Sequence, residues 1–159
     1  MVVRCDSGTV KINGLEMVER LFPYKRLGDF VCSDHFLNEL WEMSVNTIQA
    51  TSDDAYGTDA RERNEWIQDG IKASFPCSQV AFARPDESGK SEIRLLKNMI
   101  RHAALSQLVD GRIRATFPTD RGEEDCHYFI DDYACQWFGA LHTYLNMSGD
   151  MAFAREVWP

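Results

Sequence analysis

Residues 130–147 have the sequence IDDYACQWFGALHTYLNM, which is a long stretch rich in apolar residues. Its apolar side chains recur every three or four residues, which predicts one long helix. They fall on more than one side of that helix: Tyr133, Trp137, Leu141 and Tyr144 on one, and Ala134, Phe138 and Leu145 on another. A helix without a wide polar face is usually sandwiched between neighbours. We therefore expect an architecture of packed helices.

The chain before this helix predicts others with the same period. A helix over 33–50 is expected to begin with Ser33 as its cap. A second spans 60–82, with a kink or restart at Pro76 because proline interrupts the helical hydrogen bonds. A third follows a cap at Ser91. The apolar face of this third helix consists of Ile93, Leu96, Met99, Ile100, Ala103 and Ala104.

Near the beginning of the chain the apolar residues alternate with polar ones, which is the spacing of a strand and not of a helix. Apolar residues alternate before Asn13-Gly14 and recur over 17–22, which predicts a β-hairpin. We expect 1–30 to be a β-strand segment, either the end of a β-sandwich or a linker, and 31–159 to form helical hairpins. The sandwiched helix, together with an ending at Pro159 where a next helix would begin, predicts a truncated α/α architecture.

Composition excludes several classes of partner. The 159 residues carry a net charge of −8 with a pI near 4.9, so neither a nucleic acid nor an anionic membrane is expected. No apolar run reaches about 18 residues, so no membrane-spanning helix is predicted. The N-terminus lacks the pattern of a signal peptide. Localisation stays open, because the export signal of a longer parent protein would lie upstream.

Metal, disulfide and cofactor sites are not predicted. The five cysteines form no CxxC pair, and the four histidines share no metal-ligand spacing. Buried thiols and core or capped histidines are the expectation. The patterns GxSxG, GxGxxG and GxxxxGKS are absent, which removes the common hydrolase, dinucleotide and nucleotide signatures.

The densest polar stretch is TDARERNEWIQDG, residues 58–70. On a helix, Glu62, Trp66 and Asp69 stand at i, i+4 and i+7 and share one face. Such a face suits a sugar, which stacks on the indole while one acid protonates the leaving oxygen. A structural alternative stays open, since Asp59 with Glu62 resembles a capping box and such charged residues often form a solvated helix face.

Three collinear stretches resemble the catalytic domain of the bacterial α-L-rhamnosidases, glycoside hydrolase family 78, and related six-hairpin glycosidases. Segment 30–56 is similar to the opening of that α/α barrel. Segment 58–70 resembles the family hallmark, an Arg-Glu-Arg followed by a tryptophan and an aspartate. Segment 130–159 resembles a later hairpin with a Ser-Gly-Asp turn. The resemblance implies a mainly α fold, a fragment of an (α/α)6 toroid preceded by a short β element.

The resemblance also implies roles for individual residues. Glu62 takes the position of the general acid, and Asp69 that of a sugar-binding carboxylate. Pocket-lining positions fall on Arg61, Trp66, Asp132 and Trp137. The implied activity is inverting hydrolysis of a terminal sugar from a carbohydrate, with a second glutamate further downstream as the base. We therefore expect this chain by itself to be inactive.

The chain departs from the family pattern within the hallmark. Gly57 and Asp59 stand where an aspartate and a proline are usual, and Glu65 and Gln68 replace glycines. The missing aspartate normally contacts the sugar, so another glycosidase specificity stays open. The candidates to replace it are Asp53, Asp54 and Asp59.

Two alternatives complete the expectations. Arg61 and Arg63 flank Glu62, so a salt-bridged structural Glu62 is the alternative to a catalytic one, unless helical directions separate the three side chains. The alternative function is a non-catalytic helical carbohydrate-binding or interaction module. In either case the apolar helix 130–147 is expected to promote homo-oligomers through its exposed surface.

Overall fold

The computed structural model describes residues 4–52, 54–57, 64–82, 93–117 and 129–158, and these residues are mainly helical. This confirms the predicted fold class. The helical elements are α1 (His35–Ala50), α2 (Ile67–Asp69), a π-helical turn (Gly70–Ser74), α3 (Phe75–Ala81), α4 (Ile93–Leu105), α5 (Asp131–Ser148) and α6 (Met151–Val157). Within the described ranges the only β pairing is two isolated bridges, Ser52 with Tyr56 and Trp66 with Thr116.

The predicted hairpin near the N-terminus does not form. Residues 4–34 contain no strand, and the side chains of Met17 and Val18 are 90% and 95% exposed. A two-stranded ribbon needs a buried apolar face to be stable, and the described part of the chain supplies no surface to cover this one. The assignment of 1–30 to a β-sandwich or a linker stays a prediction.

The end of this N-terminal segment is held against α3 by its backbone. The amide N–H groups of Leu27 and Gly28 both donate to the carbonyl oxygen of Ala81, at 3.0 and 2.9 Å. A Cβ atom at Gly28 would overlap the carbonyl oxygen of Val80, so this close approach requires glycine. Any side chain at position 28 would therefore push the N-terminal segment away from α3.

The residue that caps helix α1 is one position later than predicted. Asp34, and not Ser33, accepts the N–H of Phe36 through Oδ1 at 2.9 Å. Both residue types are good caps, and the geometry of the entering chain selects between them. Val45 of α1 packs with Ala81 and Phe82, while Leu37 and Met43 remain exposed.

The second predicted helix, over 60–82, is not continuous: among the described residues it is helical only from Ile67 onwards, and residues 60–63 lie outside them. Residues 64–66 are extended, and their backbone pairs with residues 115–117: Ile67 N–H donates to Ala115 at 3.0 Å, and Phe117 N–H donates to Glu65 at 3.2 Å. This tertiary pairing replaces the helical hydrogen bonds that the local pattern favours. The irregularity predicted at Pro76 is the π-helical turn just before it, a common way for a helix to accommodate a disruption.

The core lies between α4 and α5. Leu95, Leu96 and Ile100 of α4 are fully buried, and they share one cluster with Trp137 and Leu141 of α5. The predicted apolar face of α4 is thus confirmed, but the helix ends at Leu105 and not at the predicted Asp110-Gly111; the expected cap at Ser91 lies outside the described residues. Because both faces that meet here are apolar, burial of these side chains is the main stabilising contribution of the fold.

The turn from α5 to α6 follows the predicted Ser-Gly-Asp sequence. Gly149 adopts a left-handed conformation, with φ of 67°, and ends α5. Asp150 then caps α6 by accepting the N–H of Phe153 at 3.0 Å. Its other oxygen accepts from Lys97 of α4 at 2.7 Å and from Tyr144 of α5 at 2.9 Å. One carboxylate therefore joins three helices.

Candidate active site

Two of the predicted site residues, Trp66 and Asp69, both contact Tyr133 of α5, which was not predicted for the site. The hydroxyl of Tyr133 donates to Oδ2 of Asp69 at 3.1 Å. The rings of Trp66 and Tyr133 pack edge to face, with centroids 6.0 Å apart and an interplanar angle of 82°. Burial, the hydrogen bond to Asp69 and the charge of Asp132 raise the pKa of Tyr133, so its hydroxyl keeps its proton. We call Trp66, Asp69 and Tyr133 the aromatic–carboxylate cluster.

This cluster does not have the predicted helical geometry. Trp66 lies before α2 in an extended conformation, with φ of −81° and ψ of 120°, so it cannot share a helix face with Glu62 at i and i+4. The pairing of 64–67 with 115–117 is the reason, because it holds Trp66 outside the helix. Asp69 approaches Trp66 through their common neighbour Tyr133 instead.

The predicted acid lies outside the described residues. Glu62 belongs to the segment 58–63, as do Arg61, Arg63 and Asp59, so the catalytic assignment, the salt-bridge alternative and the capping box all stay predictions. Of the two described residues that flank this segment, Asn64 is buried and Gly57 is half-buried.

The remaining two predicted residues have different surroundings. Asp132 is exposed in the first turn of α5. Trp137 is 2% exposed, and its Nε1–H donates to the carbonyl oxygen of Ile100 at 2.9 Å. It also lines an apolar cavity of about 250 Å³ between α4, α5 and α6, with Phe138 and Trp158 beside it. These contacts make Trp137 a packing residue here, and its role in a sugar pocket stays a prediction.

Sequence reasoning missed a partly buried carboxylate–histidine contact next to the cluster. Nδ1 of His102 on α4 lies 2.7 Å from Oε2 of Glu65, whose side chain is 5% exposed against 26% for His102. Burial raises the pKa of Glu65, although its bond to His102 opposes that shift. The same bond raises the pKa of His102 despite desolvation. Neither residue has a sequence signal for this role, because the pair joins positions that only the tertiary fold brings together.

Two further features of the described parts of the chain concern metal ions and membranes. They contain no group of three or more His, Cys, Asp or Glu residues that would hold a metal ion. None of the helices there has the length and apolar character needed to span a bilayer.

Structural similarity to two solved glycosidases supports a glycoside hydrolase-like fold. The rhamnosidase from Klebsiella oxytoca with rhamnose bound is similar to this chain with a TM-score of 0.64 and 25% identity, over 84% of this chain and 24% of that one. The family 78 rhamnosidase of Bacillus sp. GL1 is similar with a TM-score of 0.67 and 21% identity, over 87% and 13%.

This chain therefore spans about a quarter or less of the length of these rhamnosidases. The similarity confirms the resemblance drawn from the hallmark and the two flanking stretches, and it identifies the fold as part of a helical rhamnosidase domain. No protein-family model and no curated protein matches the chain.

Proposed function

We propose that this chain forms part of the catalytic domain of an α-L-rhamnosidase-like glycoside hydrolase. The observation that carries the proposal is the aromatic–carboxylate cluster, in which Asp69 and Trp66 converge on Tyr133. An aromatic face beside a carboxylate is the chemistry that binds a sugar ring, since the indole covers C–H groups while the carboxylate accepts hydrogen bonds from the hydroxyl groups. The rhamnose-bound neighbour supports a carbohydrate as ligand.

In the proposed site the cluster orients the sugar. Tyr133 occupies Oδ2 of Asp69 and so holds the carboxylate in one orientation, which leaves Oδ1 for a sugar hydroxyl. A fixed acceptor costs less entropy on binding than a mobile one, which favours a single pose of the sugar. Specificity for rhamnose over another sugar would depend on which sugar hydroxyl donates a hydrogen bond to Oδ1 of Asp69.

Glu62 is the proposed general acid, and it would protonate the glycosidic oxygen as the bond to the sugar breaks. In an inverting mechanism, a second carboxylate activates water on the opposite face of the ring, at roughly 6.5–9.5 Å from the acid. The base is proposed to come from a later part of a longer parent protein. The chain by itself would then bind the sugar without hydrolysing it.

The experiment is Glu62→Gln in the parent protein, assayed on two aryl glycosides. Glutamine keeps the size of the side chain but carries no acidic proton. Turnover of a substrate with a poor leaving group should therefore fall by ~10²–10⁴-fold, and turnover of an activated one much less. Glu39→Gln, at an exposed position on α1, is the matched control and should leave both rates unchanged.

The opposite result would assign Glu62 to structure. If Glu62→Gln leaves both rates unchanged and lowers the melting temperature, the capping-box or salt-bridge alternative is correct. Binding of the sugar without any turnover by the parent protein would favour the non-catalytic binding module.

A further inference from the structure

The Glu65–His102 pair connects the candidate site to the core. Oε2 of Glu65 contacts Nδ1 of His102 at 2.7 Å, and the carboxylate lies at 5% exposure. Among the residues described, none provides a hydrogen-bond partner for the buried Oε1 of Glu65. A buried carboxylate with one unpartnered oxygen is costly, so His102 provides its main compensation.

Glu65 is also anchored through its backbone. Its carbonyl oxygen accepts the N–H of Phe117 at 3.2 Å, and the next hydrogen bond along this pairing joins Ile67 N–H to Ala115. Trp66 lies between these two bonds. The position of Trp66 is therefore set on one side by residues 115–117 and on the other by the bond from Glu65 to α4.

The charges around the pair favour a proton on it. Asp54 raises the pKa of both Glu65 and His102, and Arg101 lowers that of His102. Because both partners have raised pKa values, the folded state binds a proton more tightly than the unfolded state does. The contribution of the proton on His102 to stability is thus fully present below the ordinary pKa of histidine, near 6.5, and is lost as the pH rises through the higher value in the folded protein.

We propose that Glu65 and His102 are positioning residues that share one proton, and that loss of this proton loosens the segment carrying Trp66 from α4. Its consequence for sugar binding rests on the proposed function. Without the proton, a buried carboxylate faces a neutral imidazole, and segment 64–66 keeps its pairing with 115–117 and the packing of Trp66 on Tyr133 but loses the charged contact to α4. Sugar binding should therefore weaken at alkaline pH while the core stays folded.

The test is amide hydrogen exchange on the chain, reported as protection factors for Ile67 and Phe117 between about pH 5.5 and about pH 8.5. Both protection factors should fall by about tenfold as the proton leaves, while that of Ile100 in the core of α4 changes much less. Glu65→Gln and His102→Gln should each remove this pH dependence. His35→Gln is the control, since His35 and Glu39 form the same type of pair at 86% and 68% exposure.

Two results would overturn the inference. One is a wild-type protection profile at Ile67 and Phe117 that does not change with pH. The other is a protection factor at Ile100 that falls as much as those of Ile67 and Phe117, which would mean that only global stability changes with pH. Because the wild-type profile decides, the test does not depend on the variants being folded.

A rhamnose titration followed by tryptophan fluorescence separates this inference from the proposed function. If protection at Ile67 and Phe117 changes with pH as expected but rhamnose does not bind, the proposed sugar site is wrong, whereas the role of the pair in positioning the segment stands. If rhamnose binds with an affinity that does not change with pH, the sugar site stands and the pair does not position it.

Discussion

Trp137 illustrates how one residue serves packing and is also a candidate for the site. It is 2% exposed, its Nε1–H bonds to the carbonyl oxygen of Ile100, and its ring packs edge to face on Phe138 at 5.2 Å. The family resemblance places it in a sugar pocket, whereas its contacts place it in the core between α4 and α5. Its substitution separates these two roles.

We expect Trp137→Phe to lower the free energy of unfolding by about 1–3 kcal/mol, because it removes a buried hydrogen bond and leaves a space where the larger ring was. Urea unfolding measures this. Trp158→Phe is the control: Trp158 is 59% exposed, so its loss should change stability by less than about 0.5 kcal/mol. A Trp137→Phe protein that is equally stable but binds sugar more weakly would support the pocket position instead.

At the scale of elements, Asp150 ties α4, α5 and α6 together. The ammonium group of Lys97, the N–H of Phe153 and the hydroxyl of Tyr144 lower the pKa of Asp150 to about 2. A carboxyl group with a depressed pKa stabilises the fold above its ordinary pKa, and this contribution is lost as the pH falls through its value in the folded protein. The charge therefore stabilises the helix junction at neutral pH.

Asp150→Asn keeps the shape of the cap and removes the charge. We expect a lower melting temperature at neutral pH, and a difference from the wild type that shrinks as the pH falls from about 4 towards about 2. Thermal unfolding followed by circular dichroism gives both quantities. Asp6→Asn is the control, because Asp6 contacts only its exposed neighbour Arg4 among the contacts described. A constant difference across this range would mean that the charge of Asp150 is not what stabilises the junction.

The whole molecule leaves a large part of its apolar surface exposed. Phe138 of α5 and the neighbouring Trp158 are 54% and 59% exposed, and Leu105 at the end of α4 is 68% exposed. The prediction that α5 is covered on several sides is met on the face that contains Trp137 and Leu141, but not on the face of Phe138. Soluble monomers rarely expose a continuous apolar patch beyond roughly 300–600 Å².

We therefore expect self-association of the chain through this face, observed by light scattering as species larger than a monomer. Phe138→Ser with Trp158→Ser should shift the distribution towards monomer, because both substitutions replace exposed apolar area with a polar group. Val80→Ser, at a 60% exposed position on α3, is the control. A monodisperse wild-type monomer that binds no hydrophobic dye would contradict this expectation.

The sequence by itself was sufficient for α1, α4, α5 and α6. Their apolar spacing is local, and capping or turn residues such as Asp150 and Gly149 mark where helices start and stop, so neighbours along the chain contain the necessary information. The mainly α fold follows from the same patterns, whereas the resemblance to rhamnosidases came from three motif stretches; both are confirmed.

Tertiary structure decided the position of Trp66, the proximity of Asp69 and Tyr133, and the burial of Glu65 against His102. In each case a local preference for helix or for solvent competed with a contact between distant parts of the chain, and the distant contact prevailed. The N-terminal strands did not form for the converse reason: their pattern was present, but nothing in the described part of the chain covers them. A periodic sequence determines which face is apolar, whereas only the assembled fold determines what that face meets.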